Sequence, residues 1–479
     1  MDSYKLFIRG EWVEAVAGKT FDDLNPYTGE RYARVAEGDA QDAEKAMAAA
    51  FEARQPWSST PPLERAKVLF KAADILEQKA PEVGQVLTLE GGGTVGKGMF
   101  EIFQTVDLLR TAAADCKHIL GETYHTDPGK LSFTTRRPWG TVVGISPWNF
   151  PLILSMYKVA YGLAAGNTVV LKPASETPVI GLKIGELFDQ AGILPGALNV
   201  LTGPGRILGD ALISDPRCSF VTITGETTTG RHVAQTAAAH MKKYTLELGG
   251  KNPLIILSDV DMDFAVDTAA FSAFLHQGQI CMSAGRLIVE EQIVEAFSQK
   301  LAAKAAQVPA GDPREPSTVV GPLINDSQVQ KVDGLVKEAV AKGARLMHGG
   351  EYQGRVYQPT VLGGVTAAMQ IYHEETFGPV ASIISVKDEK EALRVANDTK
   401  YGLSAGLVTN DISKAMYLAE GLEAGMVHVN DSSIDADAVC PFGGCKSSGQ
   451  GREGGHYSLE EMTQVKWITI QKSRKQYPF

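Results

Sequence analysis

Thr141-Val142-Val143-Gly144-Ile145-Ser146-Pro147-Trp148-Asn149-Phe150-Pro151 passes from a short β-branched run, through a loop bounded by prolines, into an apolar stretch that reaches Ala165 and stops at Gly166. The run reads as a buried strand, because aliphatic residues on both faces suit a sheet covered on both sides. The prolines fix the loop, and the apolar stretch after it reads as a helix. Thr168-Val169-Val170-Leu171 is the next strand. Strand, helix and strand at this spacing imply a parallel sheet with covered faces.

The same rhythm continues outward. Residues 219–224 read as a further strand, feeding Gly225 and a helix that ends near His240. A second alternating series starts near Asn252, with strands at 254–257, 286–290, 381–386, 404–409 and 426–430 and helical patterns between them. Upstream, short apolar runs alternate with the turn signals Arg9-Gly10-Glu11 and Pro26-Tyr27-Thr28-Gly29, which reads as hairpins. Helical patterns then cover 40–54, 63–78 and 97–119. Residues 464–471 and 131–137 alternate like exposed strands, which suggests either sheet extension between subunits or an ordinary edge hairpin.

The chain has 479 residues, too many for one hydrophobic core, so two or more domains are expected. Apolar residues make up 44% and charged residues 21%, an ordinary globular composition. A net charge of -10 argues against nucleic-acid binding, which asks for a basic face. No apolar run is long enough to span a bilayer. Met1-Asp2-Ser3-Tyr4-Lys5 lacks the basic-then-apolar pattern of a signal peptide, so a cytoplasmic setting is the expectation. The 5 cysteines do not make a disulfide framework, and Cys440 and Cys445, with no histidine nearby, do not suggest a metal site.

The chemistry sits in a few strings. In Gln277-Gly278-Gln279-Ile280-Cys281-Met282-Ser283, Cys281 offers a soft nucleophile among small residues that leave backbone amides open. A lone cysteine is as a rule a small buried hydrophobe. A helix start expected nearby would favour the reactive thiolate. In Leu246-Glu247-Leu248-Gly249-Gly250-Lys251-Asn252-Pro253, Glu247 is either a solvated strand-end carboxylate or a partly buried general base. A nucleophile with a separate base suits an acyl intermediate that is made and then hydrolysed. Asn149 either bonds its own turn or donates to an oxyanion. Gly225-Glu226-Thr227-Thr228-Thr229-Gly230 follows a strand and opens a helix, where free amides attract phosphate. Lys172 ends the preceding strand, where α/β folds place ligands; a solvated lysine is the alternative.

These strings form an ordered set: Pro147-Trp148-Asn149-Phe150-Pro151, Lys172-Pro173-Ala174-Ser175-Glu176-Thr177-Pro178, Glu247-Leu248-Gly249-Gly250-Lys251, Gly278-Gln279-Ile280-Cys281, Glu374-Glu375-Thr376-Phe377-Gly378-Pro379 and Pro441-Phe442-Gly443-Gly444. In them the chain resembles, over essentially its whole length, the NAD(P)-dependent, hydrolytic aldehyde dehydrogenase superfamily. The resemblance implies an α/β fold with two tandem Rossmann-like parallel-sheet domains and a small β oligomerisation flap. Residues 1–113 and 138–246 would bind the dinucleotide, 247–448 would form the catalytic domain, and 114–137 with 463–479 the flap. A homodimer or homotetramer is implied. Matching motifs make Cys281 the nucleophile of a thiohemiacetal and then a thioester, and Glu247 the base that activates water. The Asn149 side chain and the Cys281 backbone amide would hold the oxyanion.

For the cofactor, Lys172 resembles the family's contact to the adenosine ribose. Trp148, Gly205, Gly225 and the helix start with Glu226 and Thr229 resemble its adenine and pyrophosphate site. Glu375 and Phe377 resemble its nicotinamide-ribose contacts, and Ser146 and Leu248 belong to the same matched segments. Glu226 stands where the family often has serine, so its carboxylate is expected to point away from the pyrophosphate. Ser175, with Glu176 beside it, stands where NAD-selective members often carry the glutamate that repels a 2′-phosphate. NAD with tolerance of NADP is the expectation. By the same analogy Leu154, Tyr157, Ile280, Met282 and Phe442 line the substrate tunnel, with no arginine to clamp a carboxylate. Residues 276–283, His428-Val429-Asn430-Asp431 and Gln476-Tyr477-Pro478-Phe479 look most like the benzaldehyde, vanillin and salicylaldehyde branch. An aromatic aldehyde is therefore expected, with a medium-chain aliphatic aldehyde or a semialdehyde as the alternative. A coenzyme-A-acylating relative would not need Glu247, and a non-catalytic one would typically have lost Cys281.

Overall fold

In the computed structural model, which describes residues 3–479, Val142, Val143, Val169, Val170 and Leu171 have no solvent exposure. Aliphatic runs buried on both faces require a sheet sandwiched by helices. The sheet has 8 strands, in the order Gly449–Gln450, Lys243–Leu248, Cys218–Gly225, Thr141–Ile145, Thr168–Lys172, Leu198–Val200, Leu6–Ile8 and Glu11–Val13. Its centre is parallel and its edge pairings are antiparallel. A second sheet of 7 strands runs Arg345–His348, Thr360–Gly363, Val380–Val386, Ala284–Glu290, Asn252–Ile256, Ser404–Val408 and Met426–Val429.

Register decides where the strands end. Ile145 lies beside Lys172 and Ile223, and Gly225 lies beside Leu248. The chain runs outward from Thr141–Ile145 in both directions, so the carboxyl ends of these strands flank a topological switch point, where such sheets open a crevice. The helix Pro151–Ala164 leaves this edge with Phe150 as an N-cap that makes no side-chain bond. Glu101, on the helix Val95–Asp115, supplies the missing acceptor: its Oε1 takes the amides of Leu152 and Ile153 at 2.8 and 3.1 Å.

The expected hairpins form at Leu6–Ile8 with Glu11–Val13 and at Thr20–Leu24 with Arg31–Ala36, and Ser3–Tyr4 adds to the latter in parallel. The helix expected over 40–54 extends to Ser59, through Pro56. Helices at Ala80–Gly91, Pro178–Ala191 and Gly205–Ser214 and the strand Leu198–Val200 were not expected. The two alternating strands pair with each other: Thr463–Gln471 runs antiparallel to Lys130–Pro138 along its whole length, with Thr123–Tyr124 on the far side. Val465, Trp467 and Ile470 are exposed there. Among the described residues no helix is long and apolar enough to cross a membrane.

Candidate active site

A cavity of about 710 Å³ opens at the carboxyl ends of the first sheet. Ser146, Trp148, Lys172, Ser175, Glu176, Gly205, Gly225, Glu226, Thr229, Leu248, Glu375 and Phe377 all line it, as do Asn149, Leu154 and Cys281. Every position expected to meet a dinucleotide is thus on one surface.

The donors on that surface fit a dinucleotide. The helices Gly205–Ser214 and Thr227–Ala239 begin there without a side-chain cap, leaving first-turn amides for an anion. A Cβ at Gly225 would meet nothing closer than 3.9 Å, so the backbone is open to a ligand. Lys172 is buried, not solvated; burial brings its ammonium down to about 8, against the opposing pull of Glu176. Trp148 and Phe377 meet edge to face at 5.3 Å. A side chain at Gly249 would overlap the Glu375 carboxylate, whose Oε1 accepts the Gly250 amide at 3.1 Å. Burial pushes Glu375 up to about 7; the Gly250 amide, Lys331 and Lys251 oppose this, and Glu226 adds to it. Glu226 lines the cavity at an exposed position, where water screens its charge. Ser175 turns its hydroxyl to the Gly203 carbonyl at 3.1 Å.

Cys281 departs from expectation. No helix begins at it: it follows the one-turn 3-10 helix Leu275–Gly278 and precedes the strand Ala284–Glu290. Without a helix dipole to favour the thiolate, burial pushes the thiol up to about 12, with Glu375 and Glu247 adding to the effect. His276, Gln277 and Gly278 have φ of 46°, 58° and 67°. Left-handed backbone costs a non-glycine residue about 1–2 kcal/mol, and hydrogen bonds hold the segment there. The Gln277 amide donates to the carbonyls of Gly92 and Pro322, both at 3.0 Å. The Asn252 amide donates to the carbonyls of Cys281 and Ser283 at 2.7 and 2.9 Å.

Asn149 does not bond its own turn. Its Nδ2 donates to the Gln279 carbonyl at 2.9 Å, in a buried setting. A side-chain amide has two N–H donors, so the other stays available.

Glu247 is 2% exposed, and neither carboxylate oxygen has a hydrogen-bond partner. Burial, and after it the charge of Glu453, holds its carboxyl well above the usual range, while Lys158 and Arg452 oppose. Gly443 allows the approach: a Cβ there would lie 2.6 Å from Glu247 Oε1. Lys158 donates to Glu453 Oε1 at 2.9 Å and to Thr224 Oγ1 at 2.7 Å.

Of the positions expected to meet substrate, Leu154 lines the cavity. Ile280, Met282 and Phe442 lie outside its lining and form an apolar cluster with Leu403, against which Phe150, Met426, Ile434 and Cys281 pack. Tyr157 stacks on Phe442 at 6.5 Å. Sequence reasoning missed Arg206, Gln328 and Lys331 on the cavity wall, and Lys158, Glu453 and His276 behind it. Lys158 did leave a signal, as the one charge in the apolar stretch 151–165.

Residues 12–468 match the aldehyde dehydrogenase family. The chain belongs to this family. It is 41% identical over 481 residues to a vanillin dehydrogenase of Pseudomonas fluorescens, covering 99% of each. The crystal structure of a salicylaldehyde dehydrogenase from Pseudomonas putida G7, complexed with salicylaldehyde, matches with a TM-score of 0.98 at 39% identity over 100% of both chains. An NAD-dependent aldehyde dehydrogenase from Sinorhizobium meliloti matches with a TM-score of 0.98 at 35% identity, over 100% of this chain and 96% of that one. As an aldehyde dehydrogenase, the protein is an NAD(P)-dependent oxidoreductase, and its fold is that family's α/β fold.

Proposed function

We propose that this aldehyde dehydrogenase oxidises an aromatic aldehyde of the benzaldehyde, vanillin or salicylaldehyde type to its acid. NAD is the preferred cofactor and NADP is tolerated, and the working unit is a cytoplasmic homodimer or homotetramer. The observation that carries the substrate class is the apolar and aromatic cluster of Ile280, Met282, Leu403 and Phe442, with Phe150 against it, beside Cys281. None of the five expected substrate positions, Leu154, Tyr157, Ile280, Met282 and Phe442, is an arginine that could clamp a second carboxylate. The vanillin and salicylaldehyde enzymes that match over the whole chain support the same class. The exposed Val465, Trp467 and Ile470 on the edge strand support self-association.

Cys281 Sγ attacks the carbonyl carbon as the thiol proton leaves to solvent, and the carbonyl π pair moves to oxygen to give the oxyanion of a thiohemiacetal. Desolvation favours the protonated thiol, so loss of its proton belongs to the attack step. The free N–H of Asn149 and the backbone N–H of Cys281 hold the negative oxygen, a contact worth about 10²–10³ in rate per donor. The bound nicotinamide supplies the acceptor for the hydride that leaves the former carbonyl carbon. Cys281 is then a thioester. Glu247 takes a proton from water, the water oxygen adds to the thioester carbon, and the C–S bond breaks. The proton returns to the sulfur and the acid departs. A carboxyl with a raised pKa is a better base here than an ordinary one.

The test is formation of reduced dinucleotide from benzaldehyde, vanillin, hexanal and succinate semialdehyde, each with NAD and with NADP. The aromatic aldehydes should give the highest kcat/KM. A preference for succinate semialdehyde would overturn the substrate class, and turnover of none of them would overturn the mechanism.

A further inference from the structure

His276 is buried at 2% exposure, one turn before Cys281, and its Nε2 lies 2.9 Å from the backbone carbonyl of Asn149. A carbonyl only accepts, so Nε2 carries the proton and Nδ1 keeps its lone pair; Nδ1 is buried without a partner. The Asn149 side chain returns the contact by donating to the Gln279 carbonyl at 2.9 Å. Asn149 is therefore clamped at both its backbone and its amide by the segment 276–279, which leads directly into the nucleophile.

The surroundings hold the histidine in that role. Its ring meets Phe150 edge to face at 5.3 Å, and the ammonium of Lys97 lies 4.3 Å from the Phe150 ring centre. Lys97 is paired with Glu101, the same carboxylate that caps Leu152 and Ile153. Burial, and after it the Lys97 charge, keeps the imidazole neutral, its pKa well below the usual value. The left-handed φ of 46° at His276 is uncommon for a non-glycine residue, although histidine adopts it more readily than most. Strain of this kind persists where the surroundings over-determine it.

We propose that His276 is a positioning residue for the oxyanion site: by binding the Asn149 carbonyl it fixes the angle at which the free amide N–H of Asn149 meets the developing oxyanion. This rests on the oxyanion role given to Asn149 above. It adds that the donor's aim is set from the nucleophile segment.

The test compares His276→Phe, which keeps a ring but no donor, His276→Asn, which tolerates left-handed backbone but is too short to reach the carbonyl, and His276→Gln, which keeps a donor of nearly the right reach. Kinetics with benzaldehyde and NAD, and melting of each variant, are measured alongside Asn149→Ala and the double variant His276→Asn/Asn149→Ala. A displacement of about 1 Å at such a donor costs up to about 10² in rate. His276→Phe and His276→Asn should therefore lose about 10- to 100-fold in kcat while the KM for NAD holds, and His276→Gln should recover most of the loss. The double variant should be no slower than Asn149→Ala, because the histidine acts only through the asparagine. If His276→Phe does not fold, His276→Asn against His276→Gln decides. Normal kcat in His276→Asn beside a slow Asn149→Ala overturns the positioning role and leaves the oxyanion role standing. Losses that multiply in the double variant overturn it as well. A normal Asn149→Ala overturns both.

Discussion

Lys158 and Glu453 form an ion pair at 2.9 Å with both side chains essentially out of water, and both act on Glu247. The Glu453 charge raises the Glu247 pKa and the Lys158 charge lowers it. Protonated Glu247 cannot accept a proton from water, so thioester hydrolysis should weaken as pH falls through this raised pKa. Glu453→Gln removes a negative neighbour and should shift the acid limb of the kcat profile to lower pH. Lys158→Met removes a positive neighbour and should shift it to higher pH, at a stability cost of about 3–5 kcal/mol for breaking a buried pair. Limbs that coincide in all three enzymes would mean that Glu247 does not limit the rate through its protonation.

Glu247→Gln should separate the two half-reactions. The attack by Cys281 needs no base at 247, so about one equivalent of reduced dinucleotide should form per working site in a burst, after which turnover stalls. Intact-protein mass spectrometry of the stalled enzyme should find the acyl group on Cys281. A full steady state in this variant would assign water activation to another group.

Cys281→Ala should end oxidation and leave dinucleotide binding within about a factor of 3, because the cavity is built mainly from the first sheet and its helix starts. Fluorescence titration checks binding and absorbance checks turnover. Substantial residual oxidation would displace Cys281 from its role.

Much of this was legible in the chain. The aliphatic runs at 141–145 and 168–171 fixed a covered parallel sheet, and the strand ends they define brought Lys172, Gly225 and Leu248 to one crevice. Leu198–Val200 escaped because three residues carry no periodicity. The environment of Cys281 escaped because left-handed His276 and Gln277 turn the chain where a helix start was expected. The charges acting on Glu247 escaped for another reason: Lys158 and Glu453 are far apart in sequence, and only the folded chain sets them side by side.

The exposed edge strand Thr463–Gln471 should decide the proposed self-association. Trp467 is 66% exposed on the strand Thr463–Gln471, whose other side chains are largely exposed as well. Trp467→Lys combined with Val465→Lys should yield a smaller species in light scattering, with the monomer fold kept by circular dichroism. An unchanged mass would move self-association to another surface.

Dinucleotide affinity should depend on pH through Glu375. Burial raises this carboxyl to about 7, with the Gly250 amide, Lys331 and Lys251 holding it from going higher. Its proposed task is to accept hydrogen bonds from ribose hydroxyls, and only the carboxylate does so with both oxygens. Below about 7 the group is mostly protonated and binding should be weaker; as pH rises through that value the Kd for NAD should fall. Glu375→Gln keeps the shape without the titration, so its Kd should be weaker and flat across the same interval. Calorimetry or fluorescence titration of both proteins reads the slopes directly. If the two slopes are equal, the pH dependence comes from elsewhere, and Lys172, with its ammonium brought down to about 8, becomes the group to examine, because losing its charge would weaken binding as pH rises, the opposite sign.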